Sequence, residues 1–181
     1  MADADLEKYC ARAVKEGATH AKQIQPSSIA TAAWVRQKCQ FGCAAYDRFY
    51  SCPPHTPTPK QTREAIDSYH RAILFHIQVP QAPDRGKRIG EFLEMLRNLE
   101  GEMFKDGYYK AFVLLAGPCR LCDLECAKLE GVPCKFPDRA RPSMEACGID
   151  VFQTARNNGL PITALRERAE TQNHYCVMLV D

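Results

Sequence analysis

Two groups of cysteine carry the chemistry open to this chain: Cys39, Cys43 and Cys52, then Cys119, Cys122, Cys126 and Cys134. Thiolates are soft ligands suited to zinc and to iron–sulfur clusters. Thiols a few residues apart converge easily on one ion or cluster, and they close loops too short for much entropic stapling. The second group has the pattern C-x2-C-x3-C-x7-C. Its four thiols suffice for a tetrahedral shell or for all the irons of a cubane. Structural zinc usually shows two separated C-x2-C pairs. The bunching of the first three cysteines favours an iron–sulfur cluster, although no standard ferredoxin spacing is matched.

The first group, Lys38-Cys39-Gln-Phe-Gly-Cys43 and then Cys52-Pro53-Pro54, offers three thiols only. Either Cys147 or His55 supplies a fourth ligand, or one metal keeps an open position, as catalytic centres do. Phe41, Tyr46, Phe49 and Tyr50 are placed to shield a cluster, and Lys38 and Arg48 to offset its negative charge. Asp123, Glu125 and Glu130, beside the second group, are expected to solvate a surface loop. His70 and His76 fit packing or surface roles better than ligation. Ser143 with Glu145 reads as a turn cap, with a catalytic acid as the alternative for Glu145. Arg139 and Arg141 are either anion-binding or solvated loop residues. Trp34 reads as a core or cluster-shielding residue.

Composition narrows the setting. The chain has 181 residues, ten of them cysteine, with 24 Lys plus Arg against 22 Asp plus Glu. A formal charge of +2 gives no phosphate-tracking surface, so nucleic acid is not an expected partner. No apolar run reaches the roughly 20 residues of a membrane span, and the acidic, polar N-terminus shows no signal peptide. A reducing cytoplasm is therefore expected, where clustered cysteines read as metal ligands more than as disulfides. No glycine-rich nucleotide loop or Gly-x-Ser-x-Gly motif is present.

The elements that must position these thiols follow from periodicity. Helices are expected over 1–17, from Pro59 to about His70 with a Thr58/Gln61 capping box, and over 87–104, where Ile89, Phe92, Leu93, Leu96, Leu99 and Met103 repeat at 3.6. A short helix opens at Asp150 with Gln153, and 163–171 reads as helical. Strands are expected at 21–24 (an edge), 72–79, 108–116 and 174–180. A single domain over 1–181 results: α/β or α+β, a small sheet covered by helices, with both cysteine groups on loops leaving it.

Three stretches taken together resemble a known family. They are Lys38-Cys-Gln-Phe-Gly-Cys43 with Tyr46 and Cys52-Pro-Pro, Ala116-Gly-Pro-Cys119-x-x-Cys122, and Arg141-Pro-Ser-Met-Glu-Ala-Cys-Gly-Ile-Asp-Val151. The chain is similar in them to the domain-of-unknown-function family 2284, predicted metal-binding proteins common in anaerobic bacteria and archaea. The resemblance runs from about Lys22 to the C-terminus. It implies metal binding at both cysteine groups and names no reaction. The expectation is a cytosolic protein with one or two [4Fe–4S] clusters, passing electrons to a redox partner protein. The alternatives are an enzyme using a three-cysteine cluster with an open iron for substrate or sulfur chemistry, and a zinc-stabilised binding module.

Overall fold

The computed structural model describes residues 4–122 and 125–181. Among the described residues there are five α-helices and four strands: α1 (Ala4–Lys15), β1 (His20–Ile24), α2 (Ala33–Gly42), α3 (Pro59–Ile66), β2 (Ala72–Val79), α4 (Arg85–Lys105), β3 (Phe112–Leu114), α5 (Val151–Asn157) and β4 (Gln172–Leu179). The strands form one sheet in the order β1-β2-β4-β3, antiparallel at every pairing. Of the two classes read from the sequence, the fold is therefore α+β.

Near-continuous apolar runs in β2 and β4 reflect a sheet covered on both faces. One face carries Ile73, Phe75, Ile77, Cys176 and Met178, packed against Leu6, Tyr9 and Ala13 of α1 and Phe92, Leu96, Leu99 and Met103 of α4. The other carries Leu74, Tyr175, Val177 and Leu179, packed on Ile66 of α3, Ala155 of α5, and Met144, Cys147 and Ile149. The unassigned Cys10 and Cys176 are buried packing residues of the first face. All ten cysteines are free thiols.

Local signals explain the helix ends. The Thr58 side chain accepts from the Gln61 amide, and the Gln61 side chain returns to the Thr58 amide, with Pro59 in the first turn. Asp150 accepts from the Gln153 amide at 2.9 Å to open α5. Two expectations are corrected. Residues 163–171 are not helical; Leu165, Arg166, Glu167, Arg168 and Ala169 are exposed, so no apolar face holds a helix there. Cys39 is not on a loop but in the last turns of α2, a helix that lacks a side-chain cap at its start.

The sheet also fixes where the loops meet. Val79 pairs with Gln172, so β2 ends where β4 begins. Because β3 also runs antiparallel to β4, its continuation to Gly117 reaches the same end of the sheet. Segment 142–144 extends this edge: Leu115 donates to Pro142 O at 2.9 Å and Met144 donates to Leu115 O at 2.8 Å. Among the described residues no helix is long and apolar enough to cross a membrane.

Candidate metal centre

Both cysteine groups lie near this end of the sheet, each lining its own cavity. Cys119, Cys122, Cys126 and Cys134 all line a cavity of about 270 Å³, with Phe49, Tyr50, Pro118 and Leu121 among its walls. Cys39, Cys43 and Cys52 line a larger one of about 570 Å³. Pro118 lines both, so the two thiol groups are neighbours. Cys52 is the link. Burial, joined by negative charge on Cys43, Cys39, Cys119 and Cys126, pushes its thiol up to about 12.

The two cysteine segments are clasped directly. Asp47, held at φ +58°, takes Lys128 Nζ on its Oδ1 at 2.9 Å and His55 Nε2 at 2.8 Å. Lys128 also donates to the Asp47 carbonyl at 2.6 Å, and the Tyr50 hydroxyl donates to Val132 O at 2.8 Å. These bonds tie the turn after Cys43 to the turn after Cys126.

The larger cavity is assembled from α2 and the loop after it, the 143–149 segment, α5 and β4, with the 117–118 turn and 162–165 at its edges. Ala32 donates to Gly148 O and Asp150 donates to Ala30 O, which lays the start of α2 beside 148–150. Cys39 then stands at the 3₁₀ turn Glu145–Cys147, its Sγ donating to Glu145 O at 3.9 Å. The carbonyls of that turn are held from outside: Ala146 O by Arg36 at 2.5 Å and Thr56 at 2.6 Å, Cys147 O by Thr62 at 2.6 Å. Gly148 follows at φ +75°, and a Cβ there would lie 2.4 Å from Pro59 Cγ. Only glycine lets the turn close on the start of α3. Gln172, Asn173 and His174 of β4 form the opposite wall.

Glu145 lines this cavity. Its Oε2 is shielded from water and has no hydrogen-bond partner. Burial raises the carboxyl above its ordinary range, against the opposing pull of its own amide, the Ser143 hydroxyl and the Gly117 amide. Ser143 does cap the turn, accepting from the Ala146 amide at 3.1 Å. The sequence places Glu145 in a capping role; its uncompensated oxygen emerges only when 142–145 is laid along β3.

Arg97 of α4 is the charged neighbour of the four-thiol group. Its side chain is 8% exposed, and Nε is buried without a partner while Nη1 reaches Glu94 at 3.4 Å. Cys119 is raised by burial, with the Leu121 amide and the Arg97 charge opposing that rise. No spacing in the sequence marks this residue, because α4 reads as an ordinary amphipathic helix.

The remaining expected residues sort clearly. Neither fourth-ligand candidate lines either cavity: His55 is engaged with Asp47, and Cys147 is buried in the core, its thiol pushed up to about 12 by burial. Phe41, 82% exposed, shields nothing, whereas Tyr46 lines the larger cavity and Phe49 and Tyr50 the smaller. Trp34 and Lys38 line the larger cavity; Arg48 does not. Arg139 pairs with Glu94, and Arg141 pairs with Glu100 at 2.5 Å, so both brace α4 instead of awaiting an anion. Glu125 lines the smaller cavity; Glu130 is exposed and Asp123 lies outside the described residues. His76 is fully buried in β2.

The donor chemistry therefore fits a thiophilic metal: soft donors are gathered four and three at a time beside shielded walls. The family model of the predicted metal-binding proteins DUF2284 matches residues 22–180. The chain belongs to this family. No curated protein and no solved structure matches it. Like the family's description, the DUF2284 chain's thiol cavities speak for metal binding and name no reaction. Among the described residues no three His, Cys, Asp or Glu side chains are spaced to grip a single ion.

Proposed function

We propose that this chain is a two-centre iron–sulfur protein in which a four-thiol cluster serves a three-thiol centre that opens onto a substrate-sized cavity. The observation that carries it is the unequal pair of adjoining cavities, four thiols on about 270 Å³ and three on about 570 Å³. Cys119, Cys122, Cys126 and Cys134 would hold a [4Fe–4S] cluster at every corner. Cys39, Cys43 and Cys52 would hold a second centre with one position left for a ligand. The bunching of Cys119, Cys122 and Cys126 in the sequence, in place of two separated C-x2-C pairs, supports a cluster over zinc.

When bound, such clusters supply one-electron transfer and, at an open iron, Lewis acidity. The chain's own residues supply the rest. Arg97 lends positive charge on the Cys119 side, and Tyr46, Phe49 and Tyr50 keep water from the thiolates. Cys119, Cys122 and Cys134 are partly exposed, so a redox partner protein would exchange electrons on that side. A pure electron carrier needs no such cavity beside its second centre, which is why the enzyme reading is preferred.

The test is ligand substitution under anaerobic conditions. Cys122→Ser should lose about half of the iron and keep the remainder, and Cys43→Ser should do the same at the other centre. Full iron content in both variants would sink the assignment.

A further inference from the structure

The two thiol segments are held by each other. Residues 119–134 carry four of the thiols, and their backbone bonds close local turns: Leu129 to Cys126 O, Gly131 to Lys128 O and Val132 to Ala127 O. Among the described residues, every hydrogen bond and ion pair that leaves this segment ends on Asp47 or Tyr50. The converse holds as well. In 44–55 the bonds that reach past Cys43 and His55 end on Lys128 or Val132, and the others close turns, such as Asp47 to Pro53 O at 2.8 Å. Segments with few bonds to their scaffold open at low free energy. The bonds between these two therefore decide where one thiol group lies relative to the other.

Asp47 is the hub of those bonds. It stands at φ +58°, a region that Asp and Asn enter more readily than other side chains. Its Oδ1 takes Lys128 Nζ and His55 Nε2, and its carbonyl takes Lys128 a second time. An isolated exposed ion pair holds little. Here the Lys128 side chain is only 18% exposed and spans two acceptors on one residue. The Tyr50 hydroxyl adds a third bond between the segments, to Val132 O.

We propose that Asp47 is a positioning residue that locks the two thiol segments together through Lys128 and so holds the two centres at one fixed separation. It rests on the two-centre reading above for the centres themselves. An electron given by a redox partner protein to the four-thiol cluster passes on to the three-thiol centre: the first is oxidised by one electron, the second reduced by one, and no bond is made or broken. That passage slows steeply as the centres move apart, and charge on one centre is felt by the other in a similarly distance-dependent way. Asp47 touches neither centre; it acts by fixing the gap between them.

The experiment uses the full chain purified anaerobically, with iron and sulfide measured first. The sample is then reduced with excess dithionite and its electron paramagnetic resonance spectrum recorded. Two reduced clusters at a close, fixed separation give an interaction-split signal; independent clusters do not. The unaltered protein should show the splitting. Asp47→Gly, which suits the backbone at positive φ, and Lys128→Met should each lose it with iron unchanged, and the two combined should add nothing further. Electron redistribution after substoichiometric dithionite should slow at least tenfold in Asp47→Gly. Asp47→Asn, which keeps an acceptor oxygen for Lys128, should retain most of the splitting. Arg12→Met, which breaks the ion pair between α1 and Glu102 of α4, should leave it intact. Full iron with no splitting in the unaltered protein, or a splitting indifferent to both Asp47→Gly and Lys128→Met, would overturn the proposal and leave the two-centre reading standing. So would loss of iron in Asp47→Gly, because the clasp would then build a centre instead of spacing two. Absence of iron from the unaltered protein refutes the two-centre reading itself, before any variant is made.

Discussion

The two thiol groups share donor chemistry and differ in everything around it. The second group follows the Gly117-Pro118 turn at the end of β3; its four thiols face one small cavity, with cationic Arg97 opposing the burial of Cys119. The first is split between the end of α2 and the loop ending at Cys52; its three thiols face a cavity twice as large, with an orphaned carboxylate oxygen. In the proposed reading, identical ligands would acquire different tasks from their walls: a saturated shell suits storage and passage of charge, an incomplete one suits binding. The contrast also separates stability from function. The packed face between the sheet, α1 and α4 contains none of the seven clustered cysteines.

Several changes would break or sharpen this contrast. The largest effect is expected from two substitutions compared with each other. Gly148→Ala forces a Cβ into Pro59 at a positive φ and should cost about 3 kcal/mol. Leu96→Ala, fully buried in α4, should cost a similar 2–5 kcal/mol by cavity formation, roughly. Denaturation midpoints would match while metal contents would not: Gly148→Ala should empty the three-thiol centre, and Leu96→Ala should spare both. Equal metal loss in the two would show that the centres merely follow global stability.

Next comes Arg97→Met. Removing a buried positive charge near Cys119 disfavours the reduced, more negative cluster, so the four-thiol potential should fall in a redox titration. The three-thiol potential should stay in place, and a common shift of both would dissolve the distinction.

The smallest effect concerns acid. His76 is lowered by burial, opposed by its bond to Asn173 and assisted by His20. Its folded pKa lies below the unfolded value, so the unfolded chain binds more protons between the two. Stability is therefore full above about pH 6.5 and falls as pH drops toward the folded pKa. The slope per histidine is at most about 1.4 kcal/mol per pH unit. His174, also lowered by burial, acts with the same sign. Thermal melts of His76→Gln from pH 7 to pH 5 should show a shallower decline; an unchanged slope would remove His76 from the account.

Much of the scaffold is visible in the sequence because its signals are local. The Thr58/Gln61 box, the 3.6 repeat of α4 and the apolar runs of β2 and β4 each mark an element independent of tertiary context. The helix α2 is obscured because its start lacks a capping side chain and its register is set by bonds to Gly148 and Asp150. The cysteine groups announce themselves by spacing. Their company does not: Glu145, Arg97 and His174 join the two centres through pairings between distant segments, 142–144 along β3 and β4 beside β2. His55 and Cys147 illustrate the converse, near the thiols in sequence or chemistry yet turned to Asp47 and to the core.

The central claim is that two centres of different completeness share one end of the sheet. Anaerobic purification with iron, acid-labile sulfide and zinc analysis and an absorption spectrum tests it most directly. About eight irons with matching sulfide and a broad band near 400 nm are expected, or about seven where the three-thiol centre loses its open iron. Zinc without sulfide would contradict the account and leave a thiolate-bound structural metal in its place.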